Sequence, residues 1–81
     1  MKRTLAQAVV EINQTASRFE SSIVIITDDK MIDAKSMLGL SFTILNSKSF
    51  KLEIHGQDEA DAKAAIMEVF LKNSLPVEVN K

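Results

Sequence analysis

The sequence predicts an α+β fold, an open-faced sandwich in which helices lie on one face of a small antiparallel sheet. Three observations carry this. Apolar residues recur as Leu5, Val9, Ile12, Ala16 and Phe19, the spacing of one helix face. The stretch "FKLEIHG" alternates strictly, with Phe50, Leu52 and Ile54 on one side and Lys51, Glu53 and His55 on the other, as a strand with one wet face does. After Gly56 the helical period returns at Ala62, Ala65, Ile66, Val69 and Phe70. Helices that bury one stripe against one face of a sheet make this layered architecture.

The elements follow in chain order. In "TLAQ", Thr4 and Gln7 stand three positions apart, a capping box, so helix one is expected from about Leu5 to Arg18. "SSIVIITDD" and "KMIDA" read as a hairpin with Asp28 and Asp29 in its turn, the longer strand being buried on both faces near its centre. Ser36 is placed to cap a short helix carrying Met37, Leu38, Leu40 and Ile44, and "NSKS" is a loop. Asp58, Glu59 and Asp61 favour the positive end of the last helix and Lys72 its negative end. Pro76 stops that helix, leaving "PVEVN" as a tail with weak strand character. No repeat or linker interrupts the chain, so residues 1–81 are read as a single domain.

Composition excludes several functions. A chain of 81 residues has little interior, so a deep active site is not expected. A net charge of −1 leaves no drive toward nucleic acid or anionic lipid. Without cysteine there is no disulfide, thiolate nucleophile or cysteine zinc site, and one histidine is too few for most imidazole metal sites; neither metal nor cofactor is expected. The longest aliphatic run, "IVII", is too short for a bilayer, and the start turns polar too soon for a signal peptide, so a cytoplasmic protein is expected. The acidic groups need no chemistry: helix-start charge accounts for Asp58, Glu59 and Asp61, and a polar turn accounts for Asp28, Asp29 and Asp33.

The ordering of elements, with "ASRFESSI", "DAKSMLGL" and "GQDEADA", resembles HPr, the small phosphocarrier of the bacterial phosphoenolpyruvate-dependent sugar phosphotransferase system. The resemblance implies an HPr-like sandwich whose first strand is missing here. It also implies a phosphate-accepting histidine at the start of helix one, followed by an arginine and a proline. Those positions hold Leu5, Gln7 and Ala8, so the phosphocarrier centre is expected to be lost. A relay needs an imidazole nucleophile and a cation beside a helix N-terminus, and His55 on an outward strand face cannot replace it.

The regulatory serine of the family aligns with Ser36, and Lys35, Met37, Leu38, Gly39 and Leu40 around it are implied as a partner surface. Lost histidine and kept serine together are similar to the catabolite-repression HPr-like branch, although Ser41 stands where an exposed apolar residue is usual. The resemblance thus implies HPr kinase, and a transcription regulator or other phosphotransferase-system protein, as partners of a non-enzymatic protein. Read from residue types alone, Ser36 is a helix cap and a trio such as Met37, Leu38 and Leu40 is more often core; but a helix this short cannot bury every side, so at least one of Met37 and Leu38 is expected to be exposed, as a binding patch.

The missing strand would leave the edge of Phe50, Lys51, Leu52, Glu53 and Ile54 open. The tail, a second copy or a partner peptide could cover it. Lys51 and Glu53 set opposite charges across an antiparallel self-pairing, so a homodimer through this edge is the expectation. From it comes a competing function, a structural or assembly module that works through the sheet edge.

Overall fold

The computed structural model describes residues 4–28 and 30–80; Asp29, assigned above to the hairpin turn, lies outside them. Seven elements follow one another: α1 (Leu5–Ala16), β1 (Ser22–Ile26), β2 (Met31–Asp33), α2 (Met37–Asn46), β3 (Phe50–His55), α3 (Glu59–Lys72) and β4 (Val77–Val79). The sheet order is β2-β1-β3-β4. The first three strands are antiparallel, with Ile25 opposite both Ile32 and Leu52, whereas β4 joins β3 in parallel.

The parallel pair corrects the purely antiparallel expectation, and the connection explains it. A strand followed by a helix that returns along it makes a crossover, whose next strand must run parallel to the first. At 1.5 Å per residue α3 is roughly 21 Å long and β3 roughly 20 Å, so the helix brings the chain back to the start of β3. There the helix ends on a Schellman turn: the Ser74 N–H donates to the Leu71 carbonyl and the Leu75 N–H to the Phe70 carbonyl, with Ser74 at φ 58°. Pro76 follows, and its carbonyl accepts the Phe50 N–H at 3.2 Å, which starts the ladder.

This tail is the covering of the β3 edge. Of the three candidates, the structure places the tail there, and the edge Phe50, Lys51, Leu52, Glu53 and Ile54 is therefore not free for a second copy in this conformation. The Asn80 side chain extends the seal, donating to the Ile54 carbonyl at 3.1 Å and accepting the Ile54 N–H at 2.8 Å.

Inward residues form one core: Val9, Ile12 and Ala16 of α1, Ile23 and Ile25 of β1, Phe50, Leu52 and Ile54 of β3, and Ala62, Ile66, Val69 and Phe70 of α3. Phe50 and Phe70 meet edge to face with centroids 5.8 Å apart. Two expectations change. Leu5 is exposed rather than part of the inward stripe, because the core begins a turn later, and β1 alternates instead of being buried on both faces. Its Val24 and Ile26 lie on the open face of the sheet, which no helix covers.

Two polar joints fix the helices. Thr4 and Gln7 form the capping box, with Thr4 N–H to Gln7 Oε1 at 2.9 Å and Gln7 N–H to Thr4 Oγ1 at 3.1 Å. Asp58, at the start of α3, accepts the Glu20 and Ser21 N–H groups at 2.9 Å each and the Ser21 hydroxyl. The Ser21 hydroxyl first, then the Glu20 N–H, hold its carboxyl below the ordinary value of 3.8. A depressed folded pKa contributes stability above the unfolded value and loses it as pH falls through the folded one. Melting temperature against pH for wild type and Asp58→Asn is expected to show a gap that is full above about pH 4 and closes as the carboxylate protonates; a gap independent of pH would contradict this.

Candidate functional site

The candidate surface is built where α1 and α2 pack side by side. The Asn13 side chain donates to the Ala34 carbonyl at 3.3 Å, which sets the chain entering α2 against the C-terminal half of α1. Asp33 Oδ1 accepts the Lys35 N–H at 2.8 Å, its carbonyl accepts the Ser36 N–H, and the Ser36 carbonyl then starts the helix by accepting from Leu40. From that start the row Met37, Ser41 and Leu45 faces α1, and with Ala6, Val9 and Val10 it lines an apolar groove of about 220 Å³.

Ser36 is exposed and occupies the N-cap position of α2, but its side chain makes no capping hydrogen bond, which corrects the reading of it as a working cap. Thr4 (φ −80°, ψ 160°) and Ser36 (φ −94°, ψ 104°) both have extended cap backbones, but only the Thr4 hydroxyl accepts an amide N–H of its helix's first turn. Beside it Met37 is 42% and Leu38 86% exposed, so both stand on the surface. Leu40 does not. It is fully buried and belongs to the core rather than to a partner surface.

Lys35 and Gly39 take positioning roles. The Lys35 ammonium donates to the Phe19 carbonyl at 2.8 Å, tying α2 to the end of α1. Gly39 lies against Ile32 so closely that a Cβ would come within 2.2 Å of its Cδ1, which is how α2 sits down on β2.

Four residues that no sequence motif singled out also belong to this surface. Val10 and Leu45 are exposed at the groove, and Phe42 and Met31 are exposed on the far flank of α2, where the Lys30 ammonium sits 4.0 Å from the Phe42 ring centroid. The signal was present: "MLGLSFTIL" is apolar on every side, and a short helix on a sheet edge buries only one of them.

At the other end of α1, Leu5 is the first helical residue and is exposed, Gln7 is engaged in the capping box, and Ala8 is buried. The single histidine is remote from that point. His55 pairs with Ser22, where the chain enters β1 after leaving α1, so roughly the 18 Å length of α1 separates it from Leu5. Its side chain is 66% exposed, with Nε2 3.1 Å from Glu53 Oε2. Among the described residues there is no cluster of acidic, histidine or cysteine side chains fit to hold a metal, and no helix long and apolar enough to cross a membrane.

An open sheet with helices on one face, a long α1 beside an apolar α2, and α3 closing the core define the fold class of the histidine-containing phosphocarriers. The Mycoplasma histidine-containing phosphocarrier protein superposes with a TM-score of 0.76 at 22% identity, over 86% of this chain and 81% of that one. The family model described as the PTS HPr component phosphorylation site matches residues 5–72, and the chain belongs to the HPr family. The phosphocarrier protein HPr of Neisseria meningitidis is 32% identical over 65 residues, 79% of this chain and 73% of that protein. Crh, the catabolite repression protein of Bacillus subtilis, superposes with a TM-score of 0.73 at 25% identity, over 89% of this chain and 83% of that one; its crystal structure shows a swapped, intertwined dimer.

Proposed function

We propose that this HPr-family chain is a non-catalytic regulatory protein of the sugar phosphotransferase system, acting in the cytoplasm and switched by phosphorylation of Ser36. HPr kinase is the enzyme that would modify it. The groove between α1 and α2, lined in part by Met37, together with the exposed Leu38 next to it in the chain, would dock a transcription regulator or another protein of the system.

The observation that carries this reading is the placement of Ser36. Its hydroxyl is exposed, uncommitted to a cap, and adjacent to two exposed apolar side chains. A phosphate there meets the positive end of a ten-residue helix, so it is held without unfolding the segment and adds charge at the rim of the groove. The relay function is given up in this reading. Leu5 has no nucleophile where the family's histidine is expected, and Gln7, at the arginine position, is a neutral amide already bonded to Thr4.

The test is the intact mass after incubation with HPr kinase and ATP. Wild type is expected to gain one phosphate and Ser36→Ala none. An unmodified wild type would remove the switch. The alternative, an assembly module acting through an open edge of β3, is disfavoured because that edge is closed by β4.

A further inference from the structure

The tail does more than fill a gap at the sheet edge. β4 presents Val77 beside Phe50, Glu78 beside Lys51 and Val79 beside Leu52, an apolar, acidic, apolar triplet. β3 carries the same triplet itself, as Leu52, Glu53 and Ile54. Two β3 strands laid antiparallel about a two-fold axis at Leu52 would set Phe50 against Ile54 and Lys51 against Glu53, each pair occurring twice. Lys51 therefore faces a carboxylate in either arrangement, and the inward and outward faces stay in register.

The hold of β4 on β3 is of a kind that opens. It is a parallel strand of three residues, with Val77 and Val79 only half-buried. Beyond it the seal rests on one residue, Asn80, through its N–H on the Leu52 carbonyl at 3.0 Å and its side-chain amide on Ile54. A second β3 would instead pair backbone to backbone over all of Phe50–Ile54. The Schellman turn is anchored on α3 through Phe70 and Leu71, so the helix end is held independently of the residues beyond Pro76, whose release gives up the packing of Val77 and Val79 on the core.

We propose that β4 is a guard strand. Closed, it keeps the chain monomeric; released, it uncovers an edge whose fitting partner is the β3 strand of a second copy of this chain. The inference is independent of Ser36, since no residue of the α1 and α2 groove takes part.

The experiment uses the full chain. Val79→Asp with Asn80→Ala removes an apolar contact and both side-chain bonds of the seal, and light scattering over a wide concentration range reads the mass. Wild type is expected at 9.0 kDa and the opened variant at a mass rising with concentration toward twice that. Adding Glu53→Lys should return the opened variant to a folded monomer, because Lys51 then faces a lysine, and adding Lys51→Glu as well should restore the dimer. An opened variant that stays a folded monomer, or a dimer indifferent to these charges, overturns the proposal. Hydrogen exchange on wild type decides the matter even if the opened variant unfolds: the Ile54 and Asn80 amides should exchange by local opening, about tenfold or more faster than those of β1. Exchange of all of them at one common, global rate overturns it too.

Discussion

Replacing Leu40 by alanine is expected to cost about 2–5 kcal/mol of stability, whereas Leu38→Ala, two residues away on the same helix, should cost less than about 0.5 kcal/mol. Leu40 is fully buried in the core and Leu38 is 86% exposed, so one change leaves a cavity and the other removes a side chain that water already reaches. For a domain of this size each kcal/mol moves the melting temperature by about 4–8 °C, so the two variants separate clearly by calorimetry. The ranking reverses for docking. Leu38→Ala, and with it Met37→Ala, should weaken binding of a Ser36-phosphorylated chain to its regulator by about tenfold each if they are the anchors of the surface. Equal stability losses at the two leucines would contradict the structure, and undiminished binding by Leu38→Ala would contradict the proposed surface.

The second large effect is expected at Gly56, where alanine should cost on the order of 2–4 kcal/mol from strain and overpacking together. Gly56 has φ 153°, and a Cβ there would lie 2.5 Å from Ser21 Oγ and 2.6 Å from Ser21 Cα. Ser21 cannot retreat, because it is buried and held by Asp58 through both its N–H and its hydroxyl. Gly39→Ala is the control. The atoms in its way, Ile32 Cδ1 and Cγ1, both belong to one half-buried side chain that must turn aside, with no backbone atom among them, and alanine regains up to about 1 kcal/mol of helix propensity to offset that shift. Thermal unfolding of the two variants should place Gly56→Ala far below Gly39→Ala, and similar melting temperatures would contradict the close packing at Ser21.

Most of the architecture was legible because it is written in short-range patterns. The Thr4 and Gln7 box, the alternation of "FKLEIHG" and the stripe ending at Phe70 each became the element and face that they predict. What was not legible depends on long-range partners. "PVEVN" has only three strand residues, and nothing local shows that α3 is the right length to lay them beside Phe50–Leu52. That distance decided the edge, and with it the closed position of the strand read as a dimer surface. Leu40 is similar: its type fits core and interface equally, and only the seat of Gly39 on Ile32 turns it inward. Asp58 stands at a helix start as its position predicts, but its carboxylate serves the Glu20 and Ser21 backbone 38 and 37 residues away, a joint that no spacing announces.

The central claim is that this HPr-family chain does not relay phosphate, and it is tested most directly by intact mass after incubation with enzyme I and phosphoenolpyruvate, read under conditions that preserve phosphohistidine. With Leu5 at the head of α1 and His55 at the far end of the sheet, the mass should not change while a family phosphocarrier in the same tube is fully modified. A phosphate on this chain, lost again in His55→Ala, would show a working relay at an exposed strand histidine beside the acidic start of α3, where Asp58 and Glu59 oppose a phosphoryl group, and the account would fail.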